Sequence, residues 1–122
     1  MRDELKRRRV LVCDAADLAP GGRVVRRVDG LSLGVFNVHG RVYALHNRCP
    51  HAGGALCEGP VGGTTASTPD FRYAYEREGE ILRCAWHGWE FEIETGRSLV
   101  DPRIRARTYP VELEDGRVYV LV

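Results

Sequence analysis

Three things are scarce in this 122-residue sequence, and each scarcity closes off a class of protein. Long apolar runs are missing: stretches such as Val118-Tyr119-Val120-Leu121-Val122 fall far short of the roughly 20 residues a membrane-crossing helix needs. Charge of one sign is missing too. Lys and Arg number 18 against 17 Asp and Glu, a formal net charge of +1, whereas nucleic-acid-binding domains usually carry a clear basic excess. Helical periodicity is the third absence, since apolar residues alternate or cluster in short runs and 14 glycines interrupt them. Strands are therefore expected to dominate.

An export signal is not expected either. Lys6-Arg7-Arg8-Arg9 is followed only by Val10-Leu11-Val12-Cys13 before Asp14, too short an apolar segment for a signal peptide. Four cysteines could make two disulfides in a secreted domain, but two of them stand in Cys-x-His and Cys-x-x-His settings. A reducing, cytoplasmic compartment fits that pattern, with Cys13 in a buried strand and Cys57 in a loop as thiols without a functional role.

The length suits one domain, 1–122, with no room for a second of any substance. Alternation predicts strands at 9–13, 24–27, 31–38 and 41–45, with Asp29-Gly30 as a break and His39-Gly40 as a hairpin turn. His46 falls at a strand end, where an exposed or hydrogen-bonded imidazole is expected rather than a metal ligand. Residues 64–69 are small and polar and read as a surface excursion. Phe71, Tyr73 and Tyr75 then alternate with Arg72 and Ala74 as a short strand or flap, whose aromatics either meet a partner or pack onto the domain, before 76–80 returns to solvent. Strands at 81–83 and 90–93, a turn at Thr95-Gly96, a loop at Asp101-Pro102-Arg103 and a closing hairpin of 109–114 and 117–122 complete the chain. The expected fold class is all-β, a small antiparallel sandwich or barrel.

Two stretches carry chemistry: Arg48-Cys49-Pro50-His51-Ala52-Gly53-Gly54 and Arg83-Cys84-Ala85-Trp86-His87-Gly88-Trp89. Each offers one thiol and one imidazole. Such a set of four holds either zinc or an iron–sulfur cluster. Zinc fingers usually draw both cysteines from one knuckle and both histidines from one helix, whereas here each loop gives one of each. A mixed pair per loop suits a dinuclear cluster with both thiolates on one iron and both imidazoles on the other. The competing reading is a zinc-stabilised interaction module, which would be colourless.

Cys49-Pro50-His51 followed by Cys84-Ala85-Trp86-His87-Gly88-Trp89 resembles the two cluster-binding boxes of the Rieske family. The Val42-Tyr43-Ala44-Leu45 lead-in, the Phe91 to Thr95-Gly96 exit and the Tyr109-Pro110-Val111 to Asp115-Gly116 hairpin are similar to Rieske ferredoxins and to the Rieske domains of ring-hydroxylating oxygenases, over about residues 10–122. The resemblance implies a Rieske-type β fold with a cluster-binding subdomain of two loops at about 47–92, and one [2Fe-2S] cluster per chain. It implies Cys49 and Cys84 as ligands of the inner iron, and His51 and His87 as ligands of an outer iron near the surface, where the electron leaves. Gly53, Gly54 and Gly88 would let backbone amides approach the sulfides. Pro102 would stiffen a third loop over the cluster. Where respiratory members have an inter-loop disulfide this chain has Gly54 and Trp86, and where they have hydroxyl donors it has Trp89 and Phe91, which implies a potential in the lower part of the Rieske range.

By the same resemblance the chain is expected to be a one-electron carrier that passes electrons from a flavin-dependent reductase to a terminal oxygenase without turning over substrate itself. No membrane or nucleic-acid partner is expected. A small Rieske subunit of another oxidoreductase, similar to nitrite reductase small subunits, is the alternative. One departure is length: 32 residues separate His51 from Cys84, and the surplus falls at about 63–79, either shaping partner choice or tolerated as a neutral insertion.

Overall fold

The structure is a computed structural model that describes residues 8–50, 53–67, 73–84 and 88–122. All named strands pair antiparallel, in three sheets. The first joins β1 (Arg9–Asp14), β10 (Arg117–Leu121) and β9 (Val111–Glu114). The central sheet runs β2 (Arg23–Val28), β3 (Leu31–Val38), β4 (Arg41–His46) and β8 (Thr108–Tyr109). The third is β5 (Val61–Ser67), β6 (Tyr73–Arg83) and β7 (Glu90–Glu92). No helix among the described residues is long and apolar enough to cross a membrane.

Why the central sheet holds the molecule together is written in β3. Successive side chains on a strand face opposite ways, and Leu33, Gly34, Val35 and Phe36 are all buried, so both faces are covered. Leu33 and Val35 join Ala44, Val12, Val118 and Val120 in one core against the first sheet. Phe36 joins Leu45, Leu82, Phe91 and the cysteines 49, 57 and 84 in a second core against the third sheet. The cysteine-bearing loops therefore hang from the second core, and the first joins β1 to β10.

The turns follow local chemistry. Asp29-Gly30, His39-Gly40 and Asp115-Gly116 each place two consecutive residues at positive φ, between 51° and 96°, the backbone a two-residue hairpin requires. The expected strands are present, with three differences. Residues 61–67 form a strand rather than an irregular excursion, because Thr64, Thr65, Ala66 and Ser67 take register opposite Glu76, Tyr75, Ala74 and Tyr73. Residues 76–80 stay within β6; the register passes from Gly62 opposite Ile81 to Thr64 opposite Glu76, so 77–80 bulges around Gly63, with Arg77 and Gly79 at positive φ. Tyr109 is not in the closing hairpin: Pro110, whose carbonyl still accepts the Leu121 amide at 3.0 Å, has no N–H to donate, and Tyr109 pairs with Ala44 in the central sheet instead. Phe71 lies outside the described residues.

Candidate metal centre

β4 ends at His46 and delivers the first loop; β6 ends at Arg83 and delivers the second, which β7 takes away. The two loops close in the same way. In the first, the amide of Gly53 donates to the carbonyl of Cys49 at 2.7 Å, and the amide of Cys49 donates to the carbonyl of Gly54 at 2.8 Å. In the second, the amide of Gly88 donates to the carbonyl of Cys84 at 2.9 Å, and the amide of Cys84 donates to the carbonyl of Trp89 at 2.8 Å. Gly53 and Gly88 occupy equivalent positions at φ of 79° and 70°, where a side chain is disfavoured. The glycines thus serve the turn itself, whatever else they approach.

Cys49 and Cys84 are 0% and 1% exposed and lie in one apolar core, with no disulfide between them. Two thiols delivered by two matching turns into one core are a donor set that suits two thiolates on a single iron, and the fit with a dinuclear cluster rests on that convergence. His51, His87 and Trp86 lie outside the described residues. Gly54 is buried, and Trp89 is partly buried against the cysteine-bearing core. Pro102 is exposed; the third-loop residue that reaches this core is Ile104, held by its amide donating to the Asp101 carbonyl at 2.9 Å.

The other two thiols are set apart by their surroundings. Cys57 lies in a 3-10 turn (Leu56–Glu58), fully buried, with its Sγ 3.6 Å from the Leu45 carbonyl oxygen. Burial pushes its pKa up to about 12, against the opposing pull of Arg23, so it stays a neutral thiol. Cys13 is buried in β1 and also shifted up by burial.

Several supporting residues were not singled out in the sequence. Asn47 accepts a hydrogen bond from the Cys57 amide at 2.7 Å and donates to Ser32 Oγ at 3.1 Å, which ties the root of the first loop to β3 and to the 3-10 turn. Glu90 takes Arg83 at 2.6 Å and Thr64 at 2.8 Å, linking the root of the second loop to the β5–β6 ribbon. Buried Glu92 accepts from Thr95 at 2.7 Å and Arg77 at 2.9 Å, with Arg97 at 3.3 Å. Hydroxyl, amide and charged side chains at irregular spacing leave no pattern in a sequence, so such braces emerge only in three dimensions. His46, partly exposed as expected at a strand end, packs its ring edge-on to Tyr109 at 6.5 Å; its Nδ1 and the Tyr109 hydroxyl are buried without a hydrogen-bond partner among the described residues.

Comparison with known proteins agrees with this geometry. The family model for the Rieske [2Fe-2S] domain matches residues 8–110. The chain is 31% identical over 111 residues to Ferredoxin CarAc of Metapseudomonas resinovorans, with 89% of each chain covered. It superposes on the complex of reduced oxygenase and oxidized ferredoxin in carbazole 1,9a-dioxygenase with a TM-score of 0.69 at 28% identity, covering 93% of this chain and 92% of that one. A structure described as a putative NADH-dependent nitrite reductase small subunit from Mycobacterium tuberculosis matches with a TM-score of 0.72 at 25% identity, covering 95% and 96%.

Proposed function

Since the chain belongs to the Rieske [2Fe-2S] family, we propose that it is a ferredoxin, carrying one electron at a time from a flavin-dependent reductase to a terminal oxygenase in the cytoplasm. Its cofactor is a [2Fe-2S] cluster. The observation that carries the reading is the pair of matching turns that direct Cys49 and Cys84 into one core. We assign Cys49 and Cys84 to one iron and His51 and His87 to the other, within a single domain of 1–122 whose cluster-binding part spans about 47–92 and whose extension spans about 63–79.

When bound, the cluster supplies a reversible one-electron couple, and neutral imidazoles in place of two thiolates raise its potential above that of a four-cysteine centre. The chain's own residues do the rest. Leu45, Leu82 and Phe91 keep water from the thiolate side, and burial there makes any charge added more dependent on nearby dipoles. The Cys49 and Cys84 amides are committed to the turns, which fixes the backbone at both thiols.

Metal and sulfide analysis tests this directly. Two irons and two acid-labile sulfides per chain, in a red-brown protein, are expected; one zinc in a colourless protein would overturn it. The likeness to the nitrite reductase small subunit favours a second reading, a fixed subunit of another oxidoreductase. Purification from the native host separates the two: a ferredoxin elutes alone, a subunit with its larger partner.

A further inference from the structure

The chain is nearly neutral as a whole, yet its charges are not evenly spread. Around the two loops the carboxylates are already engaged by cations: Glu90 by Arg83, Asp101 by Arg103, and Glu92 by Arg77 and Arg97. Three exposed arginines on the same segments, Arg48, Arg105 and Arg107, have no ion pair among the described residues, although the Arg107 guanidinium lies 5.2 Å over the Tyr109 ring. Arg48 directly precedes Cys49 and lies across the first turn, its Nη2 3.5 Å from where a Cβ on Gly53 would stand. Arg105 and Arg107 alternate with Ile104 and Ala106, which pack into the core that holds Cys49 and Cys84, so the two arginines take the outward side. The Arg107 carbonyl receives the His46 amide at 2.8 Å, which fixes this segment beside the root of the first loop. Glu58, which accepts from Asn47 at 3.3 Å, is an opposing carboxylate near that root, and Glu94 is another, lining one cavity with Arg41 and a second with Thr108 and Tyr109, next to Arg107.

We infer that Arg48, Arg105 and Arg107 form a basic docking collar beside the first cysteine loop, and that the redox partner meets it with a carboxylate-rich protein surface. This rests on the electron-carrier reading and adds the charge of the partner to it. Guanidinium forks match carboxylates with two parallel hydrogen bonds, and unpaired arginines are the ones available for that. A protein partner fits better than a nucleic acid, because affinity for DNA rises with the number of phosphates neutralised, typically about 6–10, and three cations on a near-neutral chain supply few. Rim charges of this kind act chiefly on encounter rate, strongly so at low salt.

The test uses the holoprotein, reduced and mixed in a stopped-flow cell with two one-electron oxidants of opposite charge, ferricyanide and tris(phenanthroline)cobalt(III). In each case one electron leaves the protein, giving ferrocyanide or the cobalt(II) complex, with no proton or bond exchanged. The rate with ferricyanide should fall about tenfold between about 0.01 M and about 1 M salt, while the rate with the cobalt complex rises. Arg105→Gln with Arg107→Gln should remove most of that contrast. Equal salt response to both oxidants in the unmodified protein overturns the collar but leaves the carrier reading standing; a protein that neither reagent oxidises overturns the carrier reading. Binding of fluorescein-labelled poly-L-glutamate, followed by anisotropy, is read in either case and should weaken in the double variant. Failure of poly-L-glutamate to bind, or tighter binding of duplex DNA, would contradict a carboxylate-bearing protein as the occupant.

Discussion

Gly34 of β3 faces Cys57 so closely that a Cβ on Gly34 would stand 2.8 Å from both the Cβ and the Sγ of Cys57. This contact fits the 3-10 turn against the central sheet, in the same core as the thiols of Cys49 and Cys84. Gly34→Ala is expected to destabilise the protein by about 1–3 kcal/mol through overpacking, read by urea denaturation. Cys57→Ala should rescue it only in part, because the Cys57 Cβ remains in the way. Full rescue would place the strain elsewhere.

Cys57 should also shape stability at alkaline pH. Its folded pKa, about 12, is above the value of an exposed thiol, so the unfolded chain ionises first as pH rises. The stability this burial confers is present in full below the ordinary thiol range and is lost as pH climbs toward about 12. Cys57→Ala should flatten that decline. In native holoprotein at mildly alkaline pH neither Cys57 nor Cys13 should react with iodoacetamide, and both should react in denaturant.

Glu92 gives the opposite dependence. The Thr95 hydroxyl, and then Arg77, hold its carboxylate below the usual range, so its contribution is present above about pH 4 and lost as pH falls through the lowered value. Glu92→Gln should cost about 1–2 kcal/mol near neutrality, discounted for the part-exposed arginines, and should make the acid limb of stability shallower. Thermal melts across pH 3–7 check both, with about 4 as the expected turning region.

Most of the fold was legible because strand alternation and Gly-containing turns act over a few residues. The pairs His39-Gly40 and Asp115-Gly116 marked two hairpins that the structure contains, and Asp29-Gly30, read only as a break, turns out to be a third. The 61–67 strand was not legible: Gly62, Gly63 and a run of small polar residues lack apolar alternation, and their pairing with 73–82 is supplied by the partner strand. Tyr109 was assigned to the wrong sheet because pairing across the chain, to Ala44, leaves no local trace. At the site, the two Cys-His boxes stood out by spacing alone. The matched turns around Cys49 and Cys84, and the braces at Asn47, Glu90 and Glu92, required the backbone. Ile104, rather than Pro102, is the third-loop residue in contact with the thiol-bearing core.

The central claim is the mixed ligand set, and pulsed EPR of the reduced protein grown with nitrogen-15-labelled histidine tests it most directly. The account predicts two histidine nitrogens coupled to the reduced cluster, one of them lost on substituting His87 and the other on substituting His51. A reduced cluster with no coupled histidine nitrogen would contradict it.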